Sequence, residues 1–252
     1  MWNNTHSRQR NRNSLWQYAN PSLFMTVSDR ILPYLVVLTC CSLAVGVSWG
    51  LIFTPDDYQH GPNVKIMFLH VPAALMAING WLMMLAASLI WLVRRHHVSA
   101  LAAKAAAPVG FTLTLVALAT GAIWGKPAWG TYWVWDPRLT SFLILALFYV
   151  GYIGLWKALD ESDQAADLTS ILCIVGSVFA LLSRYAVLFW SQGLHQGSTL
   201  SLDRETHIDN AFYYPLVVCI AGFVLLFVTL VVLGTRHEIR LRRLEAIRAR
   251  RS

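Results

Sequence analysis

Six apolar stretches alternate with short polar connections along the chain, at residues 31–53, 66–93, 105–123, 139–159, 168–190 and 211–233. A helix needs ~20 mostly apolar residues to cross the hydrocarbon core of a bilayer, and each stretch meets that length. The pattern predicts an all-α polytopic membrane protein with six transmembrane helices. A membrane domain over 31–233 is flanked by a polar N-terminal tail, 1–30, and a basic C-terminal tail, 234–252. The first apolar run is too long for a signal peptide and lacks a small-residue cleavage site, so it is expected to remain as an anchor.

Composition agrees with this pattern. Of 252 residues, 56% are apolar and only 13% are charged, about half the charged share of an ordinary soluble domain. Six spans place both tails on one side, and the distribution of Lys and Arg decides which side that is. Fifteen basic residues fall on the side of the tails, whereas Lys65, Lys126, Arg138 and Arg204 fall opposite and Arg184 lies within the fifth stretch. Both termini are therefore expected in the cytoplasm. The net charge of +7 is spent on topology, which argues against nucleic acid as a partner. The tail from Arg236 to Arg251 is expected to meet anionic lipid headgroups.

Cys40, Cys41, Cys173 and Cys219 all lie in apolar stretches with neither CxxC nor CxxCH spacing, so they read as packing residues. The connections at 94–97 and 160–167 read as solvated linkers on the cytoplasmic side. Function is expected instead in the three extracytoplasmic loops, 54–65, 124–138 and 191–210.

The second of these loops opens the segment WGKPAWGTYWVWDPRLTS. It packs Trp124, Trp129, Tyr132, Trp133 and Trp135 into twelve residues. Interfacial belts of Trp and Tyr are common, but they are scattered over several helix ends. Concentrated in one Gly- and Pro-broken loop, these rings suit a platform for a large flat apolar ligand, with Asp136 and Arg138 as polar handles. The neighbouring GAIWGK, from Gly121 to Lys126, is one residue short of a phosphate-binding loop and is followed by Pro127.

His60, His70, His195 and His207 fall on the outer side. His70, in FLHVPAA, lies about one turn inside its helix, where an ionisable side chain marks a functional candidate. His195, in GLHQGST, lies in the third loop. Two histidines on opposite faces of a porphyrin would serve as axial ligands of iron, although spacing alone permits other pairings among the four.

The segment WGKPAWGTYWVWDPRLTS, with FLHVPAA before it and LHQGS after it, resembles the tryptophan-rich signature of the cytochrome c maturation protein C family. The resemblance covers roughly residues 31–233. It implies non-covalent, transient binding of haem b at the outer face of a bacterial inner membrane, with His70 and His195 as axial ligands. It further implies that Trp124 to Arg138 lies against the haem and presents it to a membrane-anchored haem chaperone. The implied partners are the ATPase and membrane subunits of an ABC transporter and a small membrane peptide, with ATP hydrolysis belonging to those partners rather than to this chain. Tyr132 departs from the family's more usual Trp, and the stretch 189–193 departs from its usual aromatic spacing.

On this reading the chain supplies ligands and orientation, and the chemistry belongs to the cofactor. Arg138 is the first candidate partner for the propionates and Lys126 the second, unless Arg138 braces Asp136. Three other readings predict different features. A haem-conducting channel needs a polar path through the bundle, a transmembrane electron carrier needs histidines buried at mid-depth, and a protein-binding scaffold binds no haem.

Overall fold

Short polar side chains start the helices by accepting otherwise unpaired backbone N–H groups. Asn20 accepts from Ser22 before Pro21, Asp136 from Leu139 before Pro137, and Asp209 from Ala211. The computed structural model describes residues 20–58, 60–159, 161–189 and 208–250. They form α1 (Pro21–Ser48), α2 (Met67–Arg94), α3 (His97–Trp129), α4 (Pro137–Ala158), α5 (Ser162–Phe189) and α6 (Asn210–Ala249). A π-helical turn, Trp49–Phe53, prolongs α1, and a 3-10 turn, Pro62–Ile66, leads into α2. Among the described residues the only β-pairing is an isolated bridge between Asp57 and Gly61. All six helices are long and apolar enough to cross a membrane, so the chain is an all-α polytopic membrane protein.

At the centre α2 packs against α3, α5 and α6, while α1 leans chiefly on α6. Large aromatic side chains fill the interior, with Trp81, Trp91, Tyr149 and Tyr152 all but inaccessible. The polar atoms of Trp81, Trp91 and Tyr149 are paired, as burial away from water requires. Tyr149 Oη donates to the Ala77 carbonyl at 2.8 Å and Trp81 Nε1 to the Cys173 carbonyl at 3.1 Å. Gly110 is what admits the phenol, since a Cβ there would overlap both the hydroxyl and the ring of Tyr149. All four cysteines are free thiols, with Cys173 and Cys219 buried and Cys40 and Cys41 on the surface of α1.

Five helix ends differ clearly from the sequence reading: α3 begins at His97 rather than near Ala105, α5 begins at Ser162 within the stretch read as a linker, and three further ends have a readable cause. Helix α1 begins at Pro21 rather than near Ile31, because the Asn20 cap and a proline at the first helical position nucleate it earlier. Helix α6 runs on to Ala249, since the basic segment after Leu233 contains only one glycine, no proline and many strong helix formers. Helix α3 continues to Trp129 rather than ending near Ile123, and Gly130, at φ 77°, closes it. The stretch 124–138 is therefore helical at both ends, with only Gly130–Asp136 lying between helices.

Candidate functional site

His70 occupies the first turn of α2, and its ring faces α3. Its Nδ1 lies 3.0 Å from Thr120 Oγ1. The Thr120 hydroxyl itself donates to the Val116 carbonyl at 2.6 Å, the back-bond that lets a threonine sit inside an apolar helix. Beside it Gly121 leaves room for the imidazole, since a Cβ at this position would fall 3.1 Å from His70 Cε1. One turn further along the same face of α3 stands Trp124. The His60 ring lies 5.7 Å from Trp124 by ring centroids, and Trp129 meets Trp124 edge-on at 5.6 Å. Gly125 brings Trp129 in, because a Cβ there would lie 2.9 Å from the indole.

A second aromatic group lies around a different face of α3. Trp133 and Trp135 meet edge-on at 5.6 Å and line a shallow, open apolar groove with Leu115, Leu118, Ala119 and Leu143. Trp133 Nε1 is buried and has no hydrogen-bond partner among the described residues. The single tryptophan platform expected from sequence is thus two surfaces. Extension of α3 through Trp129 keeps Trp124 and Trp129 on helical faces, while the turn after Gly130 carries Trp133 and Trp135 to the α3–α4 side.

The polar candidates have distinct duties. Lys126 Nζ donates to the Gly130 carbonyl at 3.0 Å and lies 5.3 Å from the Tyr132 ring centroid, so it braces the turn. Tyr132 is exposed. Asp136 Oδ1 accepts from the Leu139 N–H at 2.7 Å and starts α4. Arg138 heads the stripe of α4 that continues inward through Phe142, Leu145, Tyr149, Tyr152 and Trp156, all buried. Its charged neighbours are Asp136, which attracts it, and Arg184 of α5, which repels it. Arg184 is exposed on its helix, and this proximity to Arg138 relates it to the site for the first time. His195, His207 and Arg204 lie outside the described residues.

Sequence reasoning named His60 only as one of four outer histidines and did not single out Thr120; Gly121 appeared only in the incomplete phosphate-loop match. The readable signal for Thr120 was a hydroxyl followed by glycine near the end of an apolar helix. Nothing in sequence reported that this pair faces His70.

The chain is thus a six-helix membrane protein with an imidazole and clustered indoles toward one end of its bundle. The chain belongs to the Heme exporter protein C family, whose model matches residues 14–250. It is 63% identical to the Heme exporter protein C of Rhodobacter capsulatus over 94% of this chain and 98% of that protein. The Paracoccus denitrificans protein of the same name is also 63% identical, over the same shares. The protein of that name in Escherichia coli K12 is 41% identical over 90% of this chain and 91% of its own length.

Proposed function

We propose that this chain is a haem-handling component of cytochrome c biogenesis that holds haem b, transiently and without covalent attachment, at the extracytoplasmic face of a bacterial inner membrane. The observation that carries the reading is the setting of His70. An imidazole within a spanning helix, its Nδ1 engaged by Thr120 and with Trp124 one turn beyond that threonine on α3, fits a ligand of a porphyrin iron. His195 is proposed as the second axial ligand. Bound haem would supply the iron and its redox chemistry; the chain would hold the ring and orient it.

The tryptophans divide this work. Trp124 follows Thr120 by one turn of α3 and meets Trp129 edge-on, and Trp133 and Trp135 form an apolar surface. Such a surface suits presentation of the ring to a membrane-anchored haem chaperone. Arg138 is the proposed propionate partner, whereas Lys126 is occupied within the turn. The ATPase and membrane subunits of an ABC transporter and a small membrane peptide complete the proposed assembly, and ATP hydrolysis belongs to the ATPase.

The packing argues against a channel through the bundle, because Trp81, Tyr149 and Tyr152 fill its interior. The test is the absorption spectrum of protein purified from haem-replete cells. His70→Gly is expected to reduce haem retention or abolish the low-spin form, and added imidazole is expected to restore that form in part. An unchanged spectrum in His70→Gly, with loss in His60→Gly, would show that the imidazole on Trp124 is the ligand instead.

A further inference from the structure

We propose that Thr120 is a positioning residue that sets the tautomer of His70, so that the imidazole presents Nε2 to iron; this rests on the reading of His70 as an axial ligand. A hydroxyl has one proton to give and two lone pairs with which to accept. Thr120 directs its proton to the Val116 carbonyl at 2.6 Å, with the Ala117 carbonyl further away at 3.2 Å. In its 3.0 Å contact with His70 Nδ1 the hydroxyl oxygen therefore accepts, and Nδ1 carries the proton. A neutral imidazole has only one N–H, so the basic lone pair resides on Nε2.

This is the arrangement a metal-binding histidine needs. Donation from the other ring nitrogen fixes the tautomer, restricts rotation of the ring and raises the basicity of the coordinating nitrogen. Thr120 suits the task because its β-branch and back-bond limit χ1. Gly121 completes the mould. A Cβ at that position would approach Cε1 to 3.1 Å and Nδ1 to 3.6 Å, so a methyl group there would force the ring to shift by a few tenths of an ångström. α3 thus shapes the ligand on α2 with one hydroxyl and one missing methyl.

Purely structural bonding between α2 and α3 would affect stability without altering proton placement or iron electronics. The test therefore begins with haem-free full-length protein labelled with 15N-histidine, the His70 signals being assigned by their absence in His70→Gly. Wild type and Thr120→Ser are expected to show protonated Nδ1 and bare Nε2, whereas Thr120→Val is expected to shift population toward the Nε2–H form. In haem titrations Thr120→Val should weaken binding about 10- to 100-fold, the usual cost of removing such a partner. It should also move the haem midpoint potential in the positive direction, because a less basic imidazole stabilises ferric iron less; Thr120→Ser should restore both.

Bare Nδ1 in the wild-type apoprotein would overturn the proposal, and that measurement holds even if Thr120→Val fails to insert. Wild-type affinity and potential in a folded Thr120→Val protein would overturn it as well. An unchanged haem spectrum in His70→Gly would defeat the ligand assignment beneath it, whatever the tautomer proves to be.

Discussion

What an imidazole does depends on what its two nitrogens meet, and two histidines here take opposite duties. His70 Nδ1 faces a hydroxyl whose proton is directed elsewhere. His96 Nδ1 accepts the Ser99 N–H at 3.0 Å and caps α3. A cap of this kind requires an unprotonated Nδ1. Burial pushes the His96 pKa below its ordinary 6.5, its own backbone hydrogen bond opposes that shift, and neighbouring His97 adds to it. The folded state thus favours the neutral ring, so the cap's contribution is fully present above about pH 6.5 and is lost as pH falls through the lower folded value. Thermal unfolding in detergent is expected to show a decline in stability below that pH, and His96→Asn, which caps without titrating, should flatten it. His70 was legible because an ionisable residue in a spanning helix stands out. Thr120 was not, because a hydroxyl in an apolar helix usually serves only its own backbone and the pair is 50 residues apart.

Among elements, α6 shows how far a helix can outlast its apolar run. Beyond Leu233 it is joined to two other helices. Arg236, only 5% exposed, donates to the Met25 carbonyl at 3.1 Å, to Ser28 Oγ at 2.6 Å and to Asp29. Glu238 pairs with Lys104 of α3 at 2.7 Å, and that ammonium also lies 5.0 Å from the Trp156 ring centroid. The arginine ties one end of α1 to α6, the helix against which α1 packs along its length, with Thr39 Oγ1 and Thr229 Oγ1 2.9 Å apart further along. Arg236→Ala is expected to cost about 2–3 kcal/mol, since hydrogen bonds to a charged group are worth roughly that, and to expose α1 to protease in detergent. Asp29→Asn should do far less, because the Asp29 side chain is 62% exposed and exposed pairs contribute little. Unfolding curves of the two variants check the contrast; equal losses would show that the carboxylate, not the arginine's neutral partners, carries the joint. Helix existence was legible from hydropathy, but these ends were not, since capping and cross-helix pairing extend a helix past the point where its apolar pattern stops.

For the whole molecule, placement of the aromatic surfaces depends on topology, and from the basic-residue count we propose that both termini lie in the cytoplasm. Cysteine introduced at Thr131 in a variant lacking the native cysteines is expected to react with an impermeant maleimide in spheroplasts. Labelling only after membrane lysis would reverse the orientation and move the site to the cytoplasmic face. The sequence by itself determined that the chain is six helices in a membrane, because the length of an apolar run and the energetic demand to satisfy backbone hydrogen bonds in lipid are local properties. It also supplied His70, the tryptophans and the family. Tertiary structure alone decided that the tryptophans divide between two faces of α3, that Lys126 braces the turn, that Arg138 comes near Arg184, and that Thr120 and Gly121 shape His70. The physical reason is that each of these depends on where a helix ends and which face it turns to a neighbour, and both are set by packing between segments distant in the chain.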